Sequence, residues 1–504
     1  MTLTFENFLA LLPLLITAAT TIVVMLAIAV RRSHWWTATL TVVGLNSALL
    51  AIAYEVFAPM VMPALVPQPL FQIPQTITPL FVVDGFSLFF SALILAAALG
   101  ATTLTHAYIE SFKRNREEIY LLITIATAGG IVLTMAHHMA SLFIGLEMMS
   151  IALYGMISYT YDRARSLEAT IKYIILSATA SSVMLFGMAL IYAQFGTLSF
   201  AEIGAKIGTE PGMVVIIGGM MLVIGLLFKL SLAPFHLWTP DVYEGAPAPV
   251  GVFLATAAKV SVFAVLIRFI VIEADGSLSS APFRITLIVV ACLSMLLGNL
   301  LALKQNNIKR MLGYSSIAHF GYLFALVLLG GKSFGVEGFA VYLTIYVITA
   351  LAAFGVVTLM STADATRDAD ILHDYHGLFW HRPMLASLFT VALFSLAGIP
   401  LTAGFIGKFY VVMAALAVDD IWARVALASV VLGSAISIYF YLRTIISMFM
   451  TNKDLVPFDA KRDWGQHTGG IVVFLSAALI IVLGILPNPL IYIAQLSQFI
   501  WVAQ

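Results

Sequence analysis

Apolar stretches long enough to cross a bilayer dominate this sequence. A hydrocarbon core about 30 Å thick needs about 20 apolar residues in helical form. Such stretches occur fourteen times, at roughly 8–30, 36–57, 80–105, 119–136, 139–159, 168–194, 213–238, 247–272, 284–303, 308–330, 337–360, 384–417, 423–450 and 470–500. Within lipid, a lone segment satisfies its backbone polar groups only as a helix, so the chain is predicted to be an all-α polytopic membrane protein. The first stretch follows Glu6 and no lysine or arginine, so it reads as a span and not as a signal peptide. Only 10% of the 504 residues are charged, against about 25% in soluble proteins. That excludes a soluble enzyme, a disordered chain and a nucleic-acid binder. Basic and acidic residues number 25 each, so no net field draws in an anionic partner.

Loop charges predict the orientation. With the N-terminus outside, the inner loops hold Arg31, Arg32, Lys113, Arg114, Arg116, Arg163, Arg165, Lys304, Lys309, Arg310, Arg367, Arg382, Arg443, Lys453, Lys461 and Arg462. The outer loops hold Lys206, Arg268, Arg284, Lys332 and Arg424. An excess of sixteen over five places both termini outside by the positive-inside rule. The uncharged, proline-bearing loop 58–79 is then outside. No inner loop is long enough for a soluble domain.

A few ionisable residues lie within the apolar runs: Glu147, Lys229, Lys259, Lys408 and, among histidines, His319. Lys172 lies close enough to a span end to snorkel. A charge at the bilayer centre costs a few kcal/mol or more, so these residues face other helices or water. One glutamate can neutralise one lysine and not three. Burial disfavours a charged amine and a neighbouring carboxylate restores it. A row of such groups at one depth therefore has the chemistry of a proton path, whereas a set of packing ion pairs is the bland alternative.

Two spans carry helix breakers beside these lysines. Pro234 follows Lys229 by five residues, with His236 just beyond; Gly398, Pro400, Gly404 and Gly407 precede Lys408. Both breaks contain Ser-Leu-Ala followed by proline or glycine. Interrupted helices at corresponding places in two halves point to a transport site. The predicted organisation is an N-terminal three-helix segment (1–118) and a five-helix repeat (119–272, spans 4–8). An inverted second repeat (284–450, spans 9–13) and a loop with span 14 (451–504) follow. Spans 7 and 12 are predicted to be discontinuous.

Three segments resemble a known family: Leu-Ser-Leu-Ala-Pro-Phe-His-Leu-Trp-Thr-Pro-Asp-Val-Tyr-Glu-Gly-Ala-Pro-Ala-Pro (230–249, followed by Lys259), Asn-Asn-Ile-Lys-Arg-Met-Leu-Gly-Tyr-Ser-Ser-Ile-Ala-His (306–319) and Leu-Ala-Gly-Ile-Pro-Leu-Thr-Ala-Gly-Phe-Ile-Gly-Lys (396–408). They are similar to the antiporter-like membrane subunits of respiratory complex I, the proton-translocating NADH:quinone oxidoreductase. The resemblance runs over essentially the whole chain. It implies that Glu147 pairs with Lys229 and that His236 links Lys229 to Lys259. It also implies that His319 relays to Lys408, the terminal lysine of the second half-channel, a position where one sister subunit carries glutamate. It further implies a bacterial cytoplasmic (inner) membrane with periplasmic termini. Sister antiporter-like subunits, small membrane subunits and lipid would be partners, with protons and water moving through the chain. FMN, iron–sulfur clusters, NADH and quinone would be handled by other subunits, with no redox centre, cofactor or metal here. Two other readings stay open: a subunit of a multi-subunit cation/proton antiporter or membrane-bound hydrogenase, and a quinone-binding membrane subunit. A two-haem bundle needs four axial ligands inside helices, and only His236 and His319 are clearly inside; His137 and His138 lie at a helix end.

The remaining charges read as peripheral. Asp84 and the charge cluster 110–118 are expected at membrane boundaries. Asp241 and Glu244 are expected on the inner turn after the first break. The loop 364–381 holds Asp368, Asp370, His373, Asp374 and His376 without a zinc spacing, and is expected to be solvated or to face a partner.

Overall fold

A computed structural model describes residues 4–61, 74–112, 114–207, 212–269, 281–361, 367–450 and 468–499. In order they form α1 (Phe5–Ala10), α2 (Leu12–Val30), α3 (His34–Val61), β1 (Gln75–Ile77), β2 (Phe81–Val83), α4 (Gly85–Ile109), α5 (Glu118–Thr134), α6 (Met139–Ile157), α7 (Ala164–Phe195), α8 (Phe200–Ile207), α9 (Met213–Leu230), α10 (Trp238–Gly245), α11 (Ala248–Ala255), α12 (Ala257–Ile267), α13 (Ala281–Leu303), α14 (Ile308–Gly330), α15 (Val336–Met360), α16 (Leu378–His381), α17 (Pro383–Ala397), α18 (Ala403–Leu416), α19 (Ile421–Phe449), α20 (Thr468–Ile485) and α21 (Asn488–Phe499). Among the described residues, twelve helical spans are long and apolar enough to cross a membrane, with α11 and α12 counting as one. The shorter α5 and the split pair α17 and α18 complete the fourteen. The last expected span, 470–500, divides: Pro487 follows the end of α20, and α21 packs separately against α4 and α15.

Burial sorts the spans into centre and rim. The α11–α12 span is 100% buried within the chain, α14 94% and α15 89%, whereas α2 is 22% and α20 33%. The central helices therefore meet protein on every side and the rim helices keep an apolar outer face. Small residues let the central helices approach closely. A Cβ on Gly129 would lie 2.8 Å from the Gly145 carbonyl of α6, and one on Gly298 2.7 Å from the Ala318 nitrogen of α14.

Connecting segments segregate into two ends, as the alternating topology requires. At one end the antiparallel β1–β2 hairpin, with Gln75 opposite Val83, docks on the α5–α6 turn through Phe81 and Ala136. His138 there pairs with Ser199 before α8. The same end holds a buried bidentate pair in which Arg268 donates to both carboxylate oxygens of Asp84 at 2.8 Å, and to the Thr134 carbonyl at 3.1 Å. Asp84 also caps α4 by accepting from the Ser87 amide. Residues 62–73 of the loop 58–79 lie outside the described residues, as do Lys113, Lys453, Lys461, Arg462 and the side chain of Lys332.

At the opposite end, Asp368 is clasped by three segments. Arg163 and the Tyr108 hydroxyl both donate to its Oδ1 at 2.7 Å, and Lys309 donates to its Oδ2 at 2.8 Å. Lys309 also donates to the Ala246 carbonyl at 2.7 Å. Burial alone pushes the Asp368 carboxyl up, but Lys309 and Arg163 outweigh it and hold it below the usual carboxylate range. Asp368 and Asp370 are buried, and Asp374 takes a two-point bond from Arg367. The expectation of a solvated or partner-facing loop is thus corrected for Asp368 and Asp370, whereas Ile371, His373 and Trp380 are exposed. Paired carboxylates pin it to the helix ends. Beside this clasp, Arg310 bridges Asp241 (2.7 Å) and Glu244 (2.9 Å), and Lys172 pairs with Asp241 (2.8 Å).

Candidate functional site

The first helix break explains itself chemically. In a continuous helix the Leu230 carbonyl would accept from residue 234, but Pro234 has no N–H to give. Accordingly α9 stops at Leu230, earlier than the proline itself, and Ser231 turns into the left-handed region with φ 64°. The freed Leu230 carbonyl accepts from Lys259 Nζ at 3.3 Å. Lys259 also donates to Ser316 of α14 at 2.8 Å, and its ammonium lies 4.7 Å from the centre of the Phe320 ring.

Lys229 lies in the last turn of α9 and points the other way. Its Nζ donates to Ser150 of α6 (2.7 Å) and to Ser177 of α7 (2.6 Å), beside the Tyr173 ring. Glu147 accepts from Ser181 of α7 at 2.6 Å. Among the described residues no ion pair joins Glu147 to Lys229, so the expected direct contact is replaced by a pair held apart by serines. His236 sits in the break, buried, and its Nδ1 has no hydrogen-bond partner in the protein. The same holds for Ser231 Oγ, Thr239 Oγ1 and Tyr243 Oη in and just after the break. Buried polar atoms clustered in this way are suited to binding internal water.

The second break repeats the chemistry with different residues. Pro400 leaves the Leu396 carbonyl without its helical donor, and that carbonyl lies beside His319. α17 ends at Ala397, Gly398 takes φ 80°, and Lys408 of α18 donates to the Ala397 carbonyl at 2.7 Å. Glycines make room here. A Cβ on Gly404 would lie 1.8 Å from the Ser395 carbonyl, and one on Gly407 2.3 Å from the Tyr342 ring. His319 bonds through Nδ1 to the Tyr342 hydroxyl at 2.9 Å and packs between Tyr322 and Tyr346. The Lys408 ammonium lies 5.4 Å from the centre of the same Tyr322 ring.

Five of the six predicted residues thus fall on one row, and His236 lies in the first break, between Ser231 and the start of α10. Glu147 and Lys229 are linked by serines. Lys229 adjoins Leu230, which Lys259 grips. Ser316 and His319 stand one turn apart on α14, and Tyr322 joins His319 to Lys408. The counter-charge for Lys259 and Lys408 is the negative end of a half-helix, worth about half an elementary charge. Sequence reasoning missed Ser150, Ser177, Ser181, Ser316 and Tyr342, because hydroxyls are common in membrane helices. The four-residue spacing of Ser177 and Ser181 was the available signal. It also missed Glu55 of α3, which is buried at 4% exposure with neither oxygen hydrogen-bonded. Arg268 and Lys309, read as loop charges, are buried and paired.

A break with an intramembrane lysine at its carbonyl end, found twice in one all-helical bundle, is the architecture of a membrane ion-transfer subunit. Residues 136–437 match the family described as NADH:quinone oxidoreductase/Mrp antiporter, TM. The chain belongs to that family. It is 51% identical to NADH-quinone oxidoreductase subunit N of Ectopseudomonas mendocina (strain ymp), over 99% of this chain and 98% of that one. Among solved structures it is similar to a chain of respiratory complex I from Thermus thermophilus with bound aureothin, at 30% identity and TM-score 0.78, covering 95% of this chain and 98% of that one. The same fold recurs in the Mrp complex from Dietzia sp. DQ12-45-1b, at 20% identity and TM-score 0.81, covering 99% and 98%.

Proposed function

We propose that this chain is a proton-translocating membrane-arm subunit of an NADH:quinone oxidoreductase, with Glu147, Lys229, His236, Lys259, His319 and Lys408 as its proton-transfer groups. The observation that carries the reading is the row of contacts that links Glu147, Lys229, Lys259, His319 and Lys408, with no step wider than a side chain or one helical turn and with His236 in the first break. The full-length likeness to a subunit N favours this complex over a free-standing cation/proton antiporter, a membrane-bound hydrogenase or a quinone-binding subunit. Electrons pass through FMN, iron–sulfur clusters and quinone in other subunits, and this chain supplies no redox centre. Its one cysteine, Cys292, is buried on α13 and cannot alone hold a cluster. Sister antiporter-like subunits and small membrane subunits pack beside it in a bacterial inner membrane, with both termini periplasmic and the Asp368 clasp cytoplasmic. Spans 4–8 and 9–13 act as inverted half-channels, which the parallel chemistry of the two breaks supports.

In the mechanism, a shift in the separation of Glu147 and Lys229 changes how firmly Lys229 holds its proton. Coulomb energy in a poorly polarisable interior is steep with distance, so a small movement suffices. The proton released passes by way of His236 and bound water to Lys259, and a like step carries charge through Ser316 and His319 to Lys408. In the complex reconstituted into vesicles, Lys229→Ala suppresses proton pumping while the hydrophilic arm keeps its NADH-dehydrogenase activity. Pumping at the unsubstituted rate sinks the proposal.

A further inference from the structure

Ser177 and Ser181 stand four residues apart on α7, so they share one helix face about 6 Å apart along its axis. Both are buried, at 0% and 7% exposure. Each is bonded to one member of the separated pair: Ser177 to Lys229 at 2.6 Å, Ser181 to Glu147 at 2.6 Å. Their hydroxyl roles are set by their partners. An ammonium only donates and a carboxylate only accepts, so Ser177 must accept and Ser181 must donate. Ser150 is likewise an acceptor for Lys229, since its own hydroxyl donates to the Leu146 carbonyl at 2.7 Å. Ser177 is further tied to the Tyr154 hydroxyl at 2.8 Å. The next serine, Ser182, bonds only its own helix, at the Ala178 carbonyl.

We infer that Ser181 and Ser177 are positioning residues, a spacer on α7 that holds Glu147 and Lys229 out of direct contact so that Lys229 can give up its proton. The inference rests on the proton-translocation reading and adds the device that sets the pair's distance. Ser181 supplies the hydrogen bond that keeps the carboxylate where it stands. Without it, a partly buried carboxylate has one strong partner within reach, the ammonium, and the pair closes. A closed pair retains its proton and the row stalls at its first member. Ser177 acts from the other side by anchoring the ammonium to α7. Movement of α7 relative to α6 and α9 therefore changes the distance between the two charges.

The test is proton translocation by the assembled complex in proteoliposomes, with NADH-dehydrogenase activity of the hydrophilic arm as the measure of assembly. Ser181→Ala slows translocation about tenfold, the effect of one lost hydrogen bond to a charged group. Ser181→Thr, which keeps the hydroxyl, restores at least half of the rate, and Ser182→Ala is without effect. In a Glu147→Gln background Ser181→Ala causes no further loss, because the serine acts through that carboxylate. Should the alanine variant not assemble, Ser181→Cys replaces it throughout. Normal translocation in Ser181→Ala, failure of threonine to rescue an assembled complex, or losses that multiply with Glu147→Gln would each overturn the inference. If Lys229→Ala stops pumping and Ser181→Ala does not, the spacer falls and the proton reading stands. If neither variant alters pumping, both fall.

Discussion

A lysine inside a membrane protein needs something negative nearby, and here three lysines share a row with a single carboxylate. Hydroxyls and freed backbone carbonyls make up the difference: Ser150 and Ser177 for Lys229, Leu230 for Lys259, Ala397 for Lys408. The lysines themselves were legible in the sequence because charged residues in apolar runs stand out. Their neutral partners were not, because a carbonyl carries no identity and a serine is equally at home bonded to its own helix. Size constraints were equally hidden. Gly404 is one of four breakers near Lys408, yet it alone would drive a Cβ to 1.8 Å from the Ser395 backbone. Gly404→Ala is therefore expected to leave little assembled subunit in membranes, measured by immunoblot, whereas normal levels would mean that the break relaxes freely. At the Asp368 clasp, loss of the carboxylate strands Lys309 and Arg163. Asp368→Asn should cost about 3 kcal/mol, seen as a lower thermal midpoint of the solubilised complex. The folded carboxyl titrates below its usual range. Its contribution is thus fully present above about pH 4 and fades as the pH falls through the lower folded value. In the Asn variant that acid-dependent component disappears from the profile.

At the scale of elements, both discontinuous spans were legible from proline and glycine, but where each helix ends was not. The break begins at Ser231 and not at Pro234, because a proline deprives the carbonyl four residues before it. The same offset explains why Leu396 lies open beside His319. Span 14 was misread as one helix because apolar residues flank Pro487-Asn488-Pro489 on both sides and the breakers were passed over. Pro234→Ala restores a donor for the Leu230 carbonyl and sets it in competition with Lys259. The expected outcome is slower proton translocation with unchanged NADH-dehydrogenase activity. An unaltered rate would show that Lys259 does not depend on the freed carbonyl.

Across the whole molecule, the alternation of charged loops anticipated the two ends. The contacts group these charges: Asp84 meets Arg268 and Thr134, and Asp368 meets Tyr108, Arg163 and Lys309. The buried depth of those pairs was not legible, since long-range partners 184 and 205 residues apart in sequence leave no local pattern. Between the two ends the polar row crosses the bundle sideways, from α6 and α7 through the most buried spans, α11–α12 and α14, to α18. Lys259 stands at its middle, gripping the first break and reaching into the second half through Ser316. The most direct test of the account is therefore the number of protons moved per electron by the complex in sealed vesicles when Lys259 is replaced by alanine. The account predicts a lower ratio with NADH-dehydrogenase activity retained. A ratio equal to that of the unsubstituted complex would contradict it.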